Sequence, residues 1–167
     1  MQFRLWFCLF SLMLAANVFG QLKDDDPDWK ELQAPPPPSF STEKLVPIDM
    51  PPHLTLKFGI DPATLAVMPD GVVRYVMVAS SPTGAMNAMY EGIRCATAEF
   101  KTYARYSSSG TWNTVANPPW RKLDDNASSK HARALALQGL CEGRTVMGNS
   151  AQGILRALKG QNLEPTN

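Results

Sequence analysis

Six consecutive residues, Tyr90, Glu91, Gly92, Ile93, Arg94 and Cys95, bring a phenol, a carboxylate, a guanidinium and a thiol into one short run. On an extended strand Tyr90, Gly92 and Arg94 project to one side, and Glu91, Ile93 and Cys95 to the other. Gly92 has no side chain and marks either a bulge or a close approach by another group. A bulge there would flip the alternation and bring Glu91 beside Arg94. Two chemistries fit these residue types. In one, Arg74 or Arg94 holds an anionic group while Tyr90 or Tyr75 stacks on the ligand. In the other, Glu91 works with Tyr90 and Arg94 in a hydrolase-like site. Against both stands an internal pairing of Arg with Glu that orders a sheet, and this is the preferred expectation because ion pairs in folded sheets usually serve the fold.

Other constellations fail at named residues. His53 and His131 are the only histidines, and neither has the Cys or His spacing of a zinc site. Gly148 to Gly153 has the glycine spacing of a phosphate-binding loop, but Ile154 and Leu155 stand where Lys and Ser or Thr would be needed. The same stretch misses a nucleophile elbow because Gln152 replaces the final glycine. Asn126, Ala127 and Ser128 match a glycosylation acceptor, a short pattern that is common by chance. No catalytic residue, metal ligand or cofactor is therefore expected.

The compartment is set by the N-terminus. Arg4 precedes an apolar run from Leu5 to Ala16, interrupted only by Ser11 and too short to span a bilayer comfortably. Such a run suits a signal peptide, with cleavage between Gly20 and Gln21. Loss of residues 1–20 leaves 147 of the 167 residues, enough for one domain with a real core. Removing Arg4 also balances the 16 basic residues of the chain against its 15 acidic ones. A neutral chain without a basic cluster argues against nucleic acid and against a polybasic membrane anchor. It also leaves no integral membrane segment. Cys8 departs with the signal, so Cys95 and Cys141 remain in an oxidising compartment. A disulfide between them is the natural reading, and two buried free thiols are the alternative. By the loop-entropy relation, closing about 47 residues stabilises by roughly 4 kcal/mol.

The elements that position these groups follow from periodicity. Residues 21–53 form an acidic, proline-rich lead-in: Asp24, Asp25, Asp26 and Asp28 repel one another, and Pro35 to Pro38 lack amide donors. Trp29, Leu32, Phe40 and Leu45 are apolar points that could pin this segment on the domain as a strap. A proline run is also a ligand type for aromatic grooves. The domain itself spans residues 54–160, and 161–167 read as a disordered tail. Leu54 to Ile60 alternates as a half-buried strand. Thr64 to Met68 and Val72 to Ser80 flank a Pro69, Asp70, Gly71 turn as a hairpin. Val72 to Ser80 is apolar on both faces and belongs at the sheet centre, with Arg74 as the exception that needs a partner. Met86 to Cys95 and Phe100 to Tyr106 continue the sheet. The period then becomes helical over residues 129–142, with Asp125, Asn126 or Ser128 as N-cap and Gly143 as terminator, and again from Asn149 or Ser150 to Lys159 with Gly160 as C-cap. Strands first and helices last define an α+β fold, an antiparallel sheet of about five strands with C-terminal helices on one face.

Val73, Arg74 and Tyr75, Ser80 and Ser81, Gly84, the Tyr90 to Cys95 string, Tyr103, Ala104, Trp112 and the helix ending at Cys141 together resemble the CNP1-like family of small exported bacterial proteins. The resemblance covers roughly residues 29–142, and Gly139 stands where the family pattern would place an aromatic. It implies a periplasmic or cell-envelope location and no established activity. With no catalytic motif beside a rigid sheet, the expectation is a non-catalytic binding or assembly module for an envelope protein or glycan, with the hydrolase-like envelope enzyme as the alternative.

Overall fold

The computed structural model describes residues 26–125 and 130–161. The expected signal peptide with Cys8, the cap candidates Asn126 and Ser128, and the expected tail beyond Gln161 lie outside the described residues. Among the described residues the strands in chain order are β1 (Val46–Ile48), β2 (Lys57–Ile60), β3 (Ala66–Val67), β4 (Val72–Ser80), β5 (Met86–Arg94), β6 (Glu99–Tyr106), β7 (Trp112–Thr114), β8 (Arg121–Lys122), β9 (Cys141–Glu142) and β10 (Thr145–Val146). The helices are α1 (His131–Leu135) and α2 (Ala151–Gln161).

The hairpin of β4 and β5 forms the centre, in register from Val72 opposite Arg94 to Ser80 opposite Met86. Its turn closes through the Ser81 N–H donating to the Ala85 carbonyl at 2.8 Å, with Gly84 supplying a φ of 86° that a residue with a Cβ resists. An antiparallel sheet of eight strands grows outward in the order β1, β2, β4, β5, β6, β7, while β3 pairs with β4 and β8 with β6. The class is α+β as expected, but the sheet has more than five strands. The additional ones, β1, β7 and β8, span two or three residues each, too few for an alternation to be visible in sequence. Two expected strands are shorter than their periodicity indicated. The first begins at Lys57, and the second reduces to β3 because Pro62–Thr64 forms a tight helical turn whose start Asp61 caps, accepting from the Ala63 N–H at 2.9 Å.

Both sheet faces are covered. On one, Val73, Tyr75, Met77 and Ile93 pack against Ala132, Leu135, Leu140, Ile154 and Leu158. Each large aliphatic side chain buried there stabilises by about 1.5–3 kcal/mol relative to exposure. On the other, Val76, Val78, Ala88, Tyr90, Tyr103 and Ala104 are covered by Ala34, Phe40, Leu45 and Trp112, so much of the proline-rich segment lies on the domain as a strap.

The helical region departs from a single regular helix. α1 continues as a widened π-type turn over Ala136–Leu140, where Gly139 has a φ of 132°. A Cβ on Gly139 would lie 2.8 Å from the Ala157 Cβ, so α2 crosses too closely for any larger residue, aromatics included. At the start of α2 the Ser150 hydroxyl accepts from the Gly153 N–H at 3.1 Å. The glycine spacing here is explained by packing: a Cβ on Gly153 would meet the Met147 carbonyl at 2.9 Å and the Gly148 Cα at 3.1 Å. Gly160 lies inside α2 instead of capping it, and Gly143 turns β9 into β10 with a φ of 59°. Cys95 and Cys141 are bonded, with their Cα atoms 5.7 Å apart. The bond ties the end of β5 to the end of the helical turn and so fixes the helices to the sheet.

Candidate functional site

A bulge decides which groups meet. Tyr90 faces Ala104, yet Glu91 faces Thr102, so Tyr103 is the extra residue and the bulge belongs to β6. Its carbonyl accepts instead from the Val115 N–H at 2.8 Å. β5 therefore keeps its alternation. Glu91 and Tyr75 point under the helices, whereas Arg74, Tyr90 and Arg94 point toward the strap. The meeting of Glu91 with Arg94 that a bulge at Gly92 would bring about does not occur, because the irregularity falls one strand away; the carboxylate residue opposite Arg94 is Glu99 of β6.

Glu91 is 1 % exposed and closes a buried polar group. It accepts from the Thr102 hydroxyl at 3.0 Å and the Tyr75 phenol at 3.3 Å, and His131 Nε2 lies 2.8 Å from its Oε2. The imidazole stacks on Phe58 at 5.4 Å and meets the edge of Phe100 at 6.3 Å, which holds the ring in place. Burial, and then the neighbouring Glu91, push the Tyr75 phenol well above its usual ionisation range. This group joins the first turn of α1 to β4, β5 and β6. Its geometry orders the interface between helices and sheet.

The second group lies under the strap. Arg74, 1 % exposed, donates through Nη2 to the Leu32 carbonyl at 2.9 Å and to Asp70 Oδ2 at 3.1 Å. Its Nε and Nη1 meet no carboxylate or carbonyl acceptor among the described residues, and the guanidinium lies 5.4 Å from the Tyr103 ring centroid. Asp70 Oδ2 also accepts from the Leu32 N–H at 2.9 Å, and the Asp70 carbonyl from Trp29 Nε1 at 2.8 Å. Burial alone would weaken Arg74's hold on its proton, but Tyr103 and Asp70 outweigh that and raise its pKa.

Glu31 supplies the opposing charge. Its carboxylate accepts from the Tyr103 phenol at 2.7 Å and Trp120 Nε1 at 3.1 Å, pairs with Lys101, and stands 3.8 Å from Arg74 Nη2. Burial and the bond to Glu31 raise the Tyr103 pKa, with Arg74 opposing. The Tyr103 ring lies over Gly92, where a Cβ would meet its Cε2 and hydroxyl at 2.9 Å. This is the close approach that Gly92 permits. Arg94 stacks over Trp29, 3.7 Å from the ring centroid. Tyr90 packs against Tyr103 at 5.4 Å and borders a cavity of about 390 Å³ together with Pro35, Pro37, Thr114 and Val115.

The five candidate polar residues are thus divided between two buried groups on opposite faces. Sequence reasoning missed Glu31, Lys101, Thr102, Trp120 and the role of His131. For Glu31 the one signal was a carboxylate set among Trp29 and Leu32 in an otherwise solvated segment. Among the described residues, no three His, Cys, Asp or Glu side chains group as metal ligands, and no helix is long and apolar enough to cross a membrane.

An antiparallel sheet stapled to C-terminal helices, with a proline-rich segment across its other face, is the architecture in which these residues sit. The chain belongs to the CNP1-like family, whose model matches residues 24–159 and so takes in the strap as well as the domain. No curated protein and no solved structure matches it.

Proposed function

We propose that this CNP1-like protein is a non-catalytic binding or assembly module of the bacterial cell envelope, exported by its N-terminal signal and taking an envelope protein or glycan as partner. The observation that carries this reading is the fate of the polar residues. Glu91 is enclosed with Tyr75, Thr102 and His131, while Arg74 is enclosed with Asp70, Glu31 and Tyr103. A hydrolase using Glu91, Tyr90 and Arg94 needs the three in one cleft, whereas β5 sends Glu91 to one face and the other two to the opposite one. The rim of the cavity beside the strap, where Thr114 is exposed, is then the surface available to a partner.

The test combines fractionation with site-specific photo-crosslinking in intact cells. The expected mature protein starts at Gln21 in the envelope fraction. A photo-reactive residue at Thr114 gives a discrete adduct, and one at exposed Leu137 on the helical side does not. A chain retained in the cytoplasm with Met1 in place overturns the location. An envelope hydrolase activity lost in Glu91→Gln with the fold intact overturns the non-catalytic assignment.

A further inference from the structure

The strap meets the sheet as a peptide ligand meets its receptor. Among the described residues of 26–42, the one backbone-to-backbone hydrogen bond is internal, from the Trp29 N–H to the Asp26 carbonyl at 3.0 Å. Its attachments to the domain run through side chains instead. Trp29 Nε1 reaches the Asp70 carbonyl, Arg74 reaches the Leu32 carbonyl, and Trp112 Nε1 reaches the Pro38 carbonyl at 3.2 Å. At the centre, the single carboxylate of Glu31 is received by Lys101 and Tyr103 from β6 and by Trp120, with Arg74 of β4 behind them. Peptide-recognition grooves are built from the same parts, aromatic walls with a few convergent polar anchors.

Two observations show that this receptor exceeds its present occupant. Arg74, 1 % exposed, has no carboxylate or carbonyl acceptor on Nε or Nη1, and its guanidinium rests instead against Tyr103, 5.4 Å from the ring centroid, a contact that a better-matched acceptor would strengthen. In addition, the cavity of about 390 Å³ remains between Pro35–Pro37 and the rings of Tyr90 and Tyr103. Removing Glu31 from the group leaves Arg74, Arg94 and Lys101 against Asp70 and Glu99, with Glu99 shared between Arg94 and Lys122, so an excess of positive charge remains, walled by aromatic rings.

Resting on the binding-module reading, we infer that this face of the sheet is a receptor for an extended acidic peptide segment of a partner protein, and that Trp29–Leu32 occupies it in cis until displaced. The partner segment presents an aromatic ring to Arg94 and, two residues on, a carboxylate to Lys101, Tyr103 and Arg74, as Trp29 and Glu31 do now.

The probe is a fluorescein-labelled peptide with the sequence of residues 26–38, followed by anisotropy against the purified full chain. Trp29→Ala loosens the strap without touching the receptor, and Glu31→Gln empties the carboxylate position while keeping the stacked ring. The expected result is capture by either variant at least about tenfold tighter than by the unaltered protein. Capture also weakens by about tenfold or more when the peptide carries Gln in place of its Glu, and again when Lys101→Ala is added to the variant. Absence of capture by both variants, with native circular dichroism, overturns the inference. So does capture that is indifferent to the peptide's Glu or to Lys101. Concentration-dependent dimers of the variants without peptide capture also overturn it, since the face would then serve copies of this chain. Because only purified components are used, any of these failures leaves the Thr114 crosslinking result standing.

Discussion

Gly92→Ala probes how tightly the strap side of the sheet is built. The added Cβ would stand 2.9 Å from Tyr103 Cε2, from the Tyr103 hydroxyl and from Val72 Cγ1, where ordinary contacts begin at 3.4 Å. Val72 is fully buried on the central strand, so Tyr103 is the group that must yield. Overpacking of this kind costs about 1–3 kcal/mol. A displaced ring also weakens the 2.7 Å bond from its hydroxyl to Glu31, and a hydrogen bond to a charged group contributes about 1.5–3 kcal/mol. Stiffening of the unfolded chain returns about 0.4–1 kcal/mol. The net expectation is a loss of about 2–4 kcal/mol, read from urea denaturation followed by tryptophan fluorescence. In a Tyr103→Ala background the same substitution should cost at least about 1 kcal/mol less, because its principal obstacle is gone. A Gly92→Ala protein within about 0.5 kcal/mol of the parent, or an equal cost in both backgrounds, would refute the reasoning.

Three further outcomes are expected. Glu91→Ala leaves His131, Tyr75 and Thr102 facing a void and should cost about 3–5 kcal/mol by denaturation, while Glu91→Gln, which keeps an acceptor, should cost less; equal costs would remove the carboxylate from the account. Replacing both Cys95 and Cys141 with Ser should lower stability by about 2–4 kcal/mol, and intact mass after thiol labelling should show no reactive thiol in the unreduced parent mature protein. Tyr75 and Tyr103 have folded pKa values raised above the ordinary 10.0, so their contribution is intact below that pH and is lost as pH rises beyond it. Ultraviolet titration should show phenols that ionise only as the protein unfolds in alkali, fewer of them in Tyr103→Phe, and complete ionisation near pH 10 in a native protein would contradict the burial of both rings.

The central strands were legible because β4, β5 and β6 are long enough for a two-residue period to be read, and an apolar pattern on both faces placed β4 inside the sheet. Gly92 was legible as a close approach, though not its partner. Of the two readings of Gly92 the close approach holds and the bulge does not: the extra residue falls on β6, because glycine is only one way to accommodate it. Tyr103 does so on β6 with its freed carbonyl taken by Val115, a partner that no local pattern announces. The Glu91 and His131 pairing joins residues 40 positions apart, and a lone histidine carries no mark of which carboxylate it will meet. Glu31 was the least visible of all. It lies among prolines and acids that have no period, and its role comes entirely from donors on the surface that it covers.

The strap precedes in the chain everything it touches. Glu31 cannot complete its set of donors until Trp120 has been made, 89 residues later, whereas the β4, β5 and β6 meander closes between near neighbours. The strap can take its bonds to Asp70 and Arg74 as soon as β4 exists. The first described segment to be made nevertheless completes its set of contacts only after Trp120 has followed, and closing so long a loop adds only slowly to the entropic cost.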